Sequence, residues 1–577
     1  MEAVVTNTQT QQSHGWSEHC LSAVKKFIKN AVVIDNEPVL AKRRTHEETQ
    51  VTILNQPNST GMGDFLFEGD VPSLVSPIAS EPQSNMTDVI IPDRDDGIDA
   101  HTLDIRKVSD AFAESGIACS FVLPCDEDQN EELKITRILL SAKLTDIVVI
   151  DWYLHGDNPN LTRQVLTKLA ESDASAGGRL RLIVVYTGQT ITDGIFSDIK
   201  DSLSDGGITV RDIEGHIFTA KNDSCLVIAL NKAEVSPTDL PERLFKLFLL
   251  LSEGLIPSFS LAAVGAIRKN MHHLVTRFSK ELDTAYISNR LITNPPTDVT
   301  ELMRDLLVSE FDNAIGLERI ADEYLDVESI KLWLDAHENN FSSQRYSREV
   351  IDKDFIVQLL NSGIDDKGFK DNAGAVIRLP VEKRGLISVT LAGDIELSRV
   401  SQNKFSRLVA FKREAVMLPK FSSHVDWSPS LTTGSLLKHD NGRFFLCLTP
   451  ACDTLRLTND SSFVFLEATL VQDSYSVVLK DKSNDEIKLK FDRKRPKLST
   501  FIFTPDITQR VRGLMSIDGQ ENFIFQDASG NDSFTWLGEI RYGRAASEMA
   551  QLVGNWMRIG INDSEHLRLV DSGKIPG

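Results

Sequence analysis

The sequence predicts three consecutive parts: a doubly wound α/β part with a parallel sheet, an all-helical part, and a β-rich, barrel-like part closed by a helix. Within residues 31–235, short apolar segments alternate with helical segments, which is typical of parallel strands buried on both faces. Helical periodicity dominates residues 236–345. Short β-rich segments separated by turn residues then fill residues 346–577, among them predicted strands at 385–392 and 407–412, and the last helix is predicted over 542–559.

The α/β part contains five apolar segments that we predict to be strands. These segments cover residues 31–34, 117–123, 146–150, 180–186 and 225–230. The apolar spacing between them predicts helices over residues 103–115, 131–142, 161–172 and 195–203. Residues 208–220 are expected to add a hairpin. Helices on both faces make such a sheet doubly wound, and functional residues then collect at the carboxyl ends of its strands.

Two N-terminal segments lie outside this alternation. Residues 1–30 are expected to form a polar tail followed by an amphipathic helix over 17–30. Residues 41–99 are rich in proline, glycine, serine and acidic residues, a composition typical of a long insertion or mobile loop. The insertion therefore separates the first predicted strand from the other four.

Composition and charge argue against several classes of protein. The 577 residues carry a formal net charge of −21, which argues against bulk binding to nucleic acid or anionic membranes but permits a local basic patch. The six cysteines form no CxxC pair, so neither a zinc site nor a disulfide framework is indicated. Because the N-terminus is polar and lacks an apolar leader, we expect a cytoplasmic protein.

One apolar stretch, residues 245–267, is a candidate membrane span. It contains Lys246, Glu253 and Pro257, whereas a spanning helix needs about 20 apolar residues with few or no charges. We therefore expect two buried helices joined at residues 254–257, and no membrane partner.

Polar residues follow the predicted strands at the point where each strand ends. Asp35 and Glu37 follow the first strand and Asp151 follows the third. Thr187 and Lys232 follow the fourth and fifth strands. Because the carboxyl ends of parallel strands meet at one edge of a sheet, these side chains are expected to converge there.

This combination of residue types suits phosphoryl transfer. Mg²⁺ takes oxygen ligands, usually one or two carboxylates with phosphate and water, and Asp35, Glu37 and Asp151 could supply them. A carboxylate can attack a phosphoryl group if nearby positive charge reduces the repulsion between the two anions. An ammonium group adds such charge, and a threonine hydroxyl can hydrogen-bond the new phosphate and respond by moving.

The segments VVIDNEP, IVVIDWYLHGDN, LIVVYTG and VIALNK resemble bacterial response-regulator receiver domains, a likeness that covers residues 31–235. The resemblance implies a flavodoxin-like fold. It also implies a role for each matching position: Asp151 as phosphoacceptor, Asp35, Glu37, Asp151 and the backbone carbonyl of Tyr153 as Mg²⁺ ligands, Thr187 as the switch hydroxyl, and Lys232 as the phosphate-contacting lysine.

The chain departs from the usual receiver pattern in three ways. The long insertion has no counterpart in a standard receiver, and Asn36 stands where many receivers have a second acid. Asp151 and Lys232 are 81 positions apart, longer than the family usually needs, so Lys221 is a rival for the lysine role. The divergence resembles receivers of bacterial anti-phage (Detocs-like) two-component systems.

These expectations define a response-regulator-like signalling protein that accepts a phosphoryl group from a partner histidine kinase. The resemblance implies a defence role, with output through contacts with an effector protein or through phosphate buffering. No P-loop, G-x-G-x-x-G or HExxH motif appears, so we assign no catalytic residues. At most, we expect the phosphorylated protein to remove its own phosphoryl group. The main alternative is an interaction scaffold with a receiver that cannot be phosphorylated.

Two features of the β-rich part support further alternatives. Cys452, followed by Asp453, could be the nucleophile of a defence effector, but no base is evident, so a structural thiol is favoured. The basic residues of 488–497 could contact phosphate groups, as nucleic-acid binding by this part would require. A solvated strand edge blunted by charge and proline is the favoured interpretation of that run.

Overall fold

The structure is a computed structural model that describes residues 2–36, 38–39, 102–124, 130–213, 217–220, 225–370, 374–417, 427–481, 483–516, 522–556 and 569. Its N-terminal elements are, in chain order, α1 Glu2–Phe27, β1 Asn30–Ile34, β2 Pro38–Val39, β3 Leu103–Asp104, α2 Ile105–Glu114, β4 Ala118–Val122, α3 Glu131–Ala142, β5 Ile147–Ile150, α4 Asn160–Ser175, β6 Arg181–Thr187, α5 Asp193–Asp205, β7 Val210–Ile213, β8 Ile217–Ala220 and β9 Cys225–Asn231.

Seven of these strands form one sheet in the order β4–β1–β5–β6–β9–β8–β7. The first five are parallel, which confirms the predicted parallel α/β sheet. Their order places β1 between the second and third parallel strands, as in flavodoxin-like doubly wound folds. The antiparallel pair β7–β8 is the predicted hairpin, and it extends the sheet beyond β9.

Alternation along the strands divides the core of this part into two layers. On one face, residues such as Val33, Val149 and Val184 pack with side chains from α1, α2 and two later helices, α6 (Leu240–Ser252) and α7 (Leu255–Lys269). On the other face, Val32 and Val185 pack with α3, α4 and α5. Because successive side chains of a strand point to opposite faces, a strand covered on both sides must be apolar throughout. This requirement explains why the strands were visible in the sequence.

The N-terminal helix is longer than the sequence indicated. The prediction of a polar tail followed by a helix over 17–30 is wrong, because α1 begins at Glu2. Trp16, Cys20 and Val24 are buried at helical spacing against the rest of the fold. Gly265 of the later helix α7 lets the two helices approach closely: a Cβ there would lie 2.6 Å from the carbonyl oxygen of Lys26. Tertiary packing of its second half stabilises a helix whose polar first half gives no strong signal.

The helical part comprises α6 Leu240–Ser252, α7 Leu255–Lys269, α8 Met271–Arg277, α9 Asp283–Ile292, α10 Thr297–Leu317, α11 Ile320–Tyr324 and α12 Val327–His337, with short 3₁₀ helices at Lys280–Leu282 and Glu338–Asn340. The apolar stretch at 245–267 forms α6 and α7, two buried helices joined at Gly254, as expected. No helix among the residues described above has the length and apolarity needed to cross a bilayer.

The C-terminal part comprises β10 Gln344–Tyr346, β11 Glu349–Ile351, α13 Lys353–Leu359, β12 Phe369–Lys370, β13 Val376–Ile377, α14 Gly385–Ala392, α15 Ile395–Ala410, β14 Phe411–Glu414, β15 Ser435–His439, β16 Phe444–Cys447, β17 Ser461–Leu470, β18 Val477–Lys480, β19 Glu486–Phe491, β20 Leu498–Phe503, β21 Leu514–Met515, β22 Phe523–Gln526, β23 Ser533–Ile540 and α16 Tyr542–Trp556. Short 3₁₀ helices lie at Val381–Lys383, Ala415–Met417 and Ala451–Thr454.

Ten of these strands form one antiparallel sheet, which confirms the β-rich character of this part. The main path is β18–β19–β17–β16–β15–β23–β22–β21, with β14 beside β23 and β20 beside β17. Helix α16 packs on this sheet through Ala545 and Leu552. Closure of the sheet into a barrel stays a prediction.

Two apolar segments that were predicted to be strands are helical. Residues 385–392 form α14, and residues 407–410 belong to α15 rather than to a strand. Asp394 caps α15, because its carboxylate accepts hydrogen bonds from the backbone N–H groups of Glu396 and Leu397. A short apolar run does not distinguish a buried strand from a helix, so the capping residue was the better signal.

Candidate functional site

Two carboxylates lie side by side at the carboxyl edge of the parallel sheet. Asp35 directly follows β1 and Asp151 directly follows β5, the neighbouring strand. The backbone N–H of Asp151 donates to the carbonyl of Ile34 at 2.9 Å, which continues the ladder between these strands to their ends. Both side chains are buried: Asp35 is 2 % exposed and Asp151 is 8 % exposed.

A lysine that follows β9, two strands away from β5 in the sheet, contacts both carboxylates. Lys232 follows β9, where its backbone N–H donates to the carbonyl of Thr187 at 2.8 Å. Its Nζ atom lies 2.8 Å from Oδ2 of Asp35 and 2.5 Å from Oδ2 of Asp151. The Lys232 side chain is only 5 % exposed. The sheet thus brings three charged groups, 197 positions apart at the extremes, into one buried cluster.

Burial and the neighbouring charges shift the pKa values of Asp151 and Lys232. Burial raises the pKa of Asp151 to about 6, the ammonium of Lys232 opposes that rise, and the charge of Asp35 adds to it. Burial by itself would lower the pKa of Lys232, but the two carboxylates outweigh that effect and raise it. Lys232 is therefore charged at neutral pH, and Asp151 is ionised there in its nucleophilic form.

Hydrogen bonds hold the Asp151 side chain and its strand end in place. The backbone N–H of Tyr153 donates to Oδ1 of Asp151 at 3.3 Å, so the two carboxylate oxygens have separate partners. The hydroxyl of Thr162, in the first turn of α4, donates to the Asp151 carbonyl at 2.9 Å. Thr162 is fully buried, and it was missed as a site residue.

Thr187 ends β6 and is 1 % exposed. Its hydroxyl oxygen accepts a hydrogen bond from the backbone N–H of Gln189 at 3.2 Å. Asn231, the last residue of β9, donates through Nδ2 to the Gln189 carbonyl at 2.7 Å. Asn231 was also missed as a site residue, although it directly precedes Lys232. These bonds tie the loop after β6 to the strand end that carries the lysine.

The ring of Tyr186 links this edge to the helical part. Nζ of Lys232 lies 5.9 Å from the centre of the ring. The Tyr186 hydroxyl donates to the Val235 carbonyl at 2.6 Å, just before α6. Burial and the charge of Asp35 raise the pKa of Tyr186, so its hydroxyl keeps the proton that it donates. The Tyr186 side chain therefore contacts both Lys232 and the residues just before α6.

Two of the predicted site residues, Glu37 and Lys221, lie outside the described residues. Among the described ones, the structure places Lys232 between Asp35 and Asp151. No group of three or more His, Cys, Asp or Glu side chains that could hold a metal ion occurs in that part of the chain. Asp35 and Asp151 nevertheless turn carboxylate oxygens toward one shared cation, the ammonium of Lys232. Such a pair of hard oxygen donors fits Mg²⁺.

The alternative nucleophile in the β-rich part has unfavourable surroundings. Sγ of Cys452 donates to Oδ1 of Asp453 at 3.1 Å, and this bond raises the pKa of the thiol. A nucleophilic cysteine needs the opposite shift, because the thiolate is the reactive form. The geometry favours a non-catalytic thiol.

Comparison with known protein families finds a match for the α/β part of the chain. Residues 27–237 match the family model described as a response receiver domain, and this stretch includes β1, β5, β6, β9 and the Asp35–Asp151–Lys232 cluster. The match confirms the expected resemblance at the level of the domain. Searches of curated proteins and of solved structures found no match. The helical and β-rich parts lie beyond the matched residues.

Proposed function

We propose that this protein is a response-regulator-like signalling component whose Asp151 accepts a phosphoryl group from a partner histidine kinase. The observation that carries the proposal is the contact of Lys232 Nζ with both Asp35 and Asp151, at the carboxyl edge of a sheet that matches receiver domains. Burying an ammonium between two carboxylates has a high desolvation cost, so a contribution to stability alone does not account for this cluster.

The transfer is a nucleophilic substitution at phosphorus. A carboxylate oxygen of Asp151 attacks the phosphorus of the partner's phosphohistidine, and the new P–O bond forms as the P–N bond breaks. The bonding electrons leave with the imidazole, which takes up a proton from solvent. Lys232 lies where it can shift from the Asp151 carboxylate to an oxygen of the incoming phosphoryl group.

Asp35 and Asp151 would hold Mg²⁺, with Glu37 and the backbone carbonyl of Tyr153 as further ligands. The ion would supply positive charge against the repulsion between the phosphoryl group and Asp151. The ammonium of Lys232 contacts Oδ2 of both carboxylates, so Lys232 and the ion would share Asp35 and Asp151 as partners.

Phosphorylation would act on the rest of the chain through the loop after β6. The Thr187 hydroxyl, which accepts from the Gln189 N–H, would turn to donate to a phosphate oxygen, a change that biases a two-state equilibrium of this loop. The expected output is a change in contacts with the helical and β-rich parts, or with an effector protein. Phosphate buffering in a bacterial defence system, in the cytoplasm, is the role that the Detocs-like resemblance implies.

Beryllofluoride, which mimics a phosphoryl group on aspartate, tests the proposal with Mg²⁺ present. Titration should protect the strand ends around Asp151 and the loop after β6 from hydrogen exchange. The D151N variant should lose this response, and D157N is the matched control because Asp157 lies exposed in the same loop. If the wild-type protein does not respond, the domain is a pseudo-receiver and the scaffold alternative replaces this proposal.

A further inference from the structure

The β-rich part contains a groove with a charge opposite to that of the chain as a whole. The groove has a volume of about 670 Å³ and lies between the turn from β19 to β20 and the helix α16. Five of its described lining residues are cations: Lys490, Arg493, Lys494, Arg495 and Lys497. Two acids, Glu467 and Asp492, also line it. We call this feature the basic groove.

One of the five cations has a structural role. Arg493 makes two hydrogen bonds of 2.6 Å to Glu548, a carboxylate of α16 that is completely buried. Arg544 also contacts Glu548, at 2.9 Å. Arg493 therefore fixes α16 against the β19–β20 turn, and it shapes the groove rather than offering a free charge.

The other four cations, Lys490, Lys494, Arg495 and Lys497, are exposed. None of them has an ion-pair partner among the described residues. The two acids of the groove have different partners. The Asp492 carboxylate accepts the backbone N–H groups of Lys494 and Arg495, at 3.0 Å each. Glu467 lies 3.7 Å from a guanidinium nitrogen of Arg443.

The lining residues distinguish between the possible anionic ligands. Phe491 is buried, so the described lining residues offer no exposed ring on which a base or nucleoside could stack. These described residues also include no exposed aliphatic side chain that could anchor the groove in a membrane. Recognition of a phosphopeptide relies on arginine clusters, and here the half-buried arginine, Arg493, is already paired. Several exposed point charges along one turn suit a ligand with several phosphates.

We propose that the basic groove binds the phosphate backbone of a nucleic acid without reading its sequence. The acidic remainder of the chain would confine binding to this groove, which reconciles a local site with a net charge of −21. With about four phosphate contacts, the slope of log K against log salt should be about −3.6 for a DNA duplex. Affinity should accordingly fall roughly 100-fold between 50 and 200 mM salt.

The test is fluorescence anisotropy of a short labelled DNA duplex of random sequence, titrated with the full-length protein at several salt concentrations. The double reversal K494E/R495E should weaken binding at least tenfold at equal salt. The matched control R345E/R348E changes net charge equally at the exposed hairpin of β10 and β11 and should bind as the wild type does. Melting curves of both variants show that the fold persists.

Four results would separate this proposal from its rivals. A single strand and an RNA duplex of the same sequence should also bind through the groove, each with a steep salt dependence, because only the backbone is recognised. The absence of duplex binding at low salt would overturn the proposal, as would equal affinities for the reversal and control variants. Binding to phosphatidylserine vesicles without binding to any nucleic acid would assign the groove to a membrane surface instead.

Discussion

The charged residues at the carboxyl edge of the receiver sheet differ from those of the basic groove in burial and in pairing. At the sheet edge, Asp35, Asp151 and Lys232 are buried and compensate one another. In the groove, Lys494 and Arg495 are exposed and form no salt bridge with another described residue. Buried charges need a partner within the protein, whereas exposed cations are solvated by water until an anionic ligand binds. The same charge substitution should therefore change stability in one region and only binding in the other.

The largest effect on stability is expected for Lys232→Met. Loss of the ammonium leaves two buried carboxylates facing each other, which should lower the free energy of unfolding by about 3–5 kcal/mol. Hydrogen exchange of the β1 and β5 amides in the full chain measures this loss. Lys168→Met removes an exposed pair with Glu171 and serves as the control, with an expected change below about 1 kcal/mol. Equal losses in the two variants would mean that the Lys232 cluster is not buried as described.

Asp151→Asn should instead stabilise the protein in the absence of Mg²⁺. The folded pKa of about 6 exceeds the ordinary value of 3.8, so ionisation of Asp151 is less favourable in the folded state than in the unfolded state. Its contribution to stability is full below about pH 4 and is lost as pH rises through 6. At neutral pH the substitution should add up to about 3 kcal/mol, and the gain should vanish below about pH 4. A gain that is independent of pH would contradict this assignment.

Glu548→Gln should have an intermediate effect, because it weakens the buried connection that shapes the groove without emptying it. Gln accepts from one arginine with a single oxygen, so the loss should be about 2 kcal/mol. Thermal melting followed by tryptophan fluorescence, to which the buried Trp536 contributes, measures it. The control Glu396→Gln removes an exposed pair with Arg399 and should cost at most about 0.5 kcal/mol.

The smallest effect on stability is expected for Lys494→Ala/Arg495→Ala. Neither side chain has an ion-pair partner in the described part of the chain, so the melting temperature should change by less than the equivalent of about 0.5 kcal/mol. Any larger loss would show that these cations are part of the fold rather than a surface for a ligand.

The two regions also differ in how far their sequence revealed them. Parallel strands buried on both faces are apolar throughout, so β1, β5, β6 and β9 and the residues after them could be located from the order of amino acids alone. The convergence of Asp35, Asp151 and Lys232 then followed from the parallel topology. Thr162 and Asn231 were missed because they act through backbone partners, which no residue pattern specifies.

In the β-rich part, local pattern was a weaker guide. The run at 385–392 has strand composition but forms α14, because tertiary context decides the structure of short apolar segments. The basic run at 488–497 suggested a solvated edge. Its role as one wall of a groove depends on α16, which lies more than 40 positions later in the chain. Contacts of that kind are not visible from spacing.

The most direct test of the account is phosphorylation itself. The full-length protein, incubated with Mg²⁺ and a small acyl phosphate donor, should gain one phosphoryl group in intact mass spectrometry, and reductive trapping should locate it on Asp151. D157N should be modified as the wild type is, and D151N should not be modified. A phosphoryl group on another residue, or none on the wild type under conditions that modify a known receiver, would contradict the proposed role of Asp151.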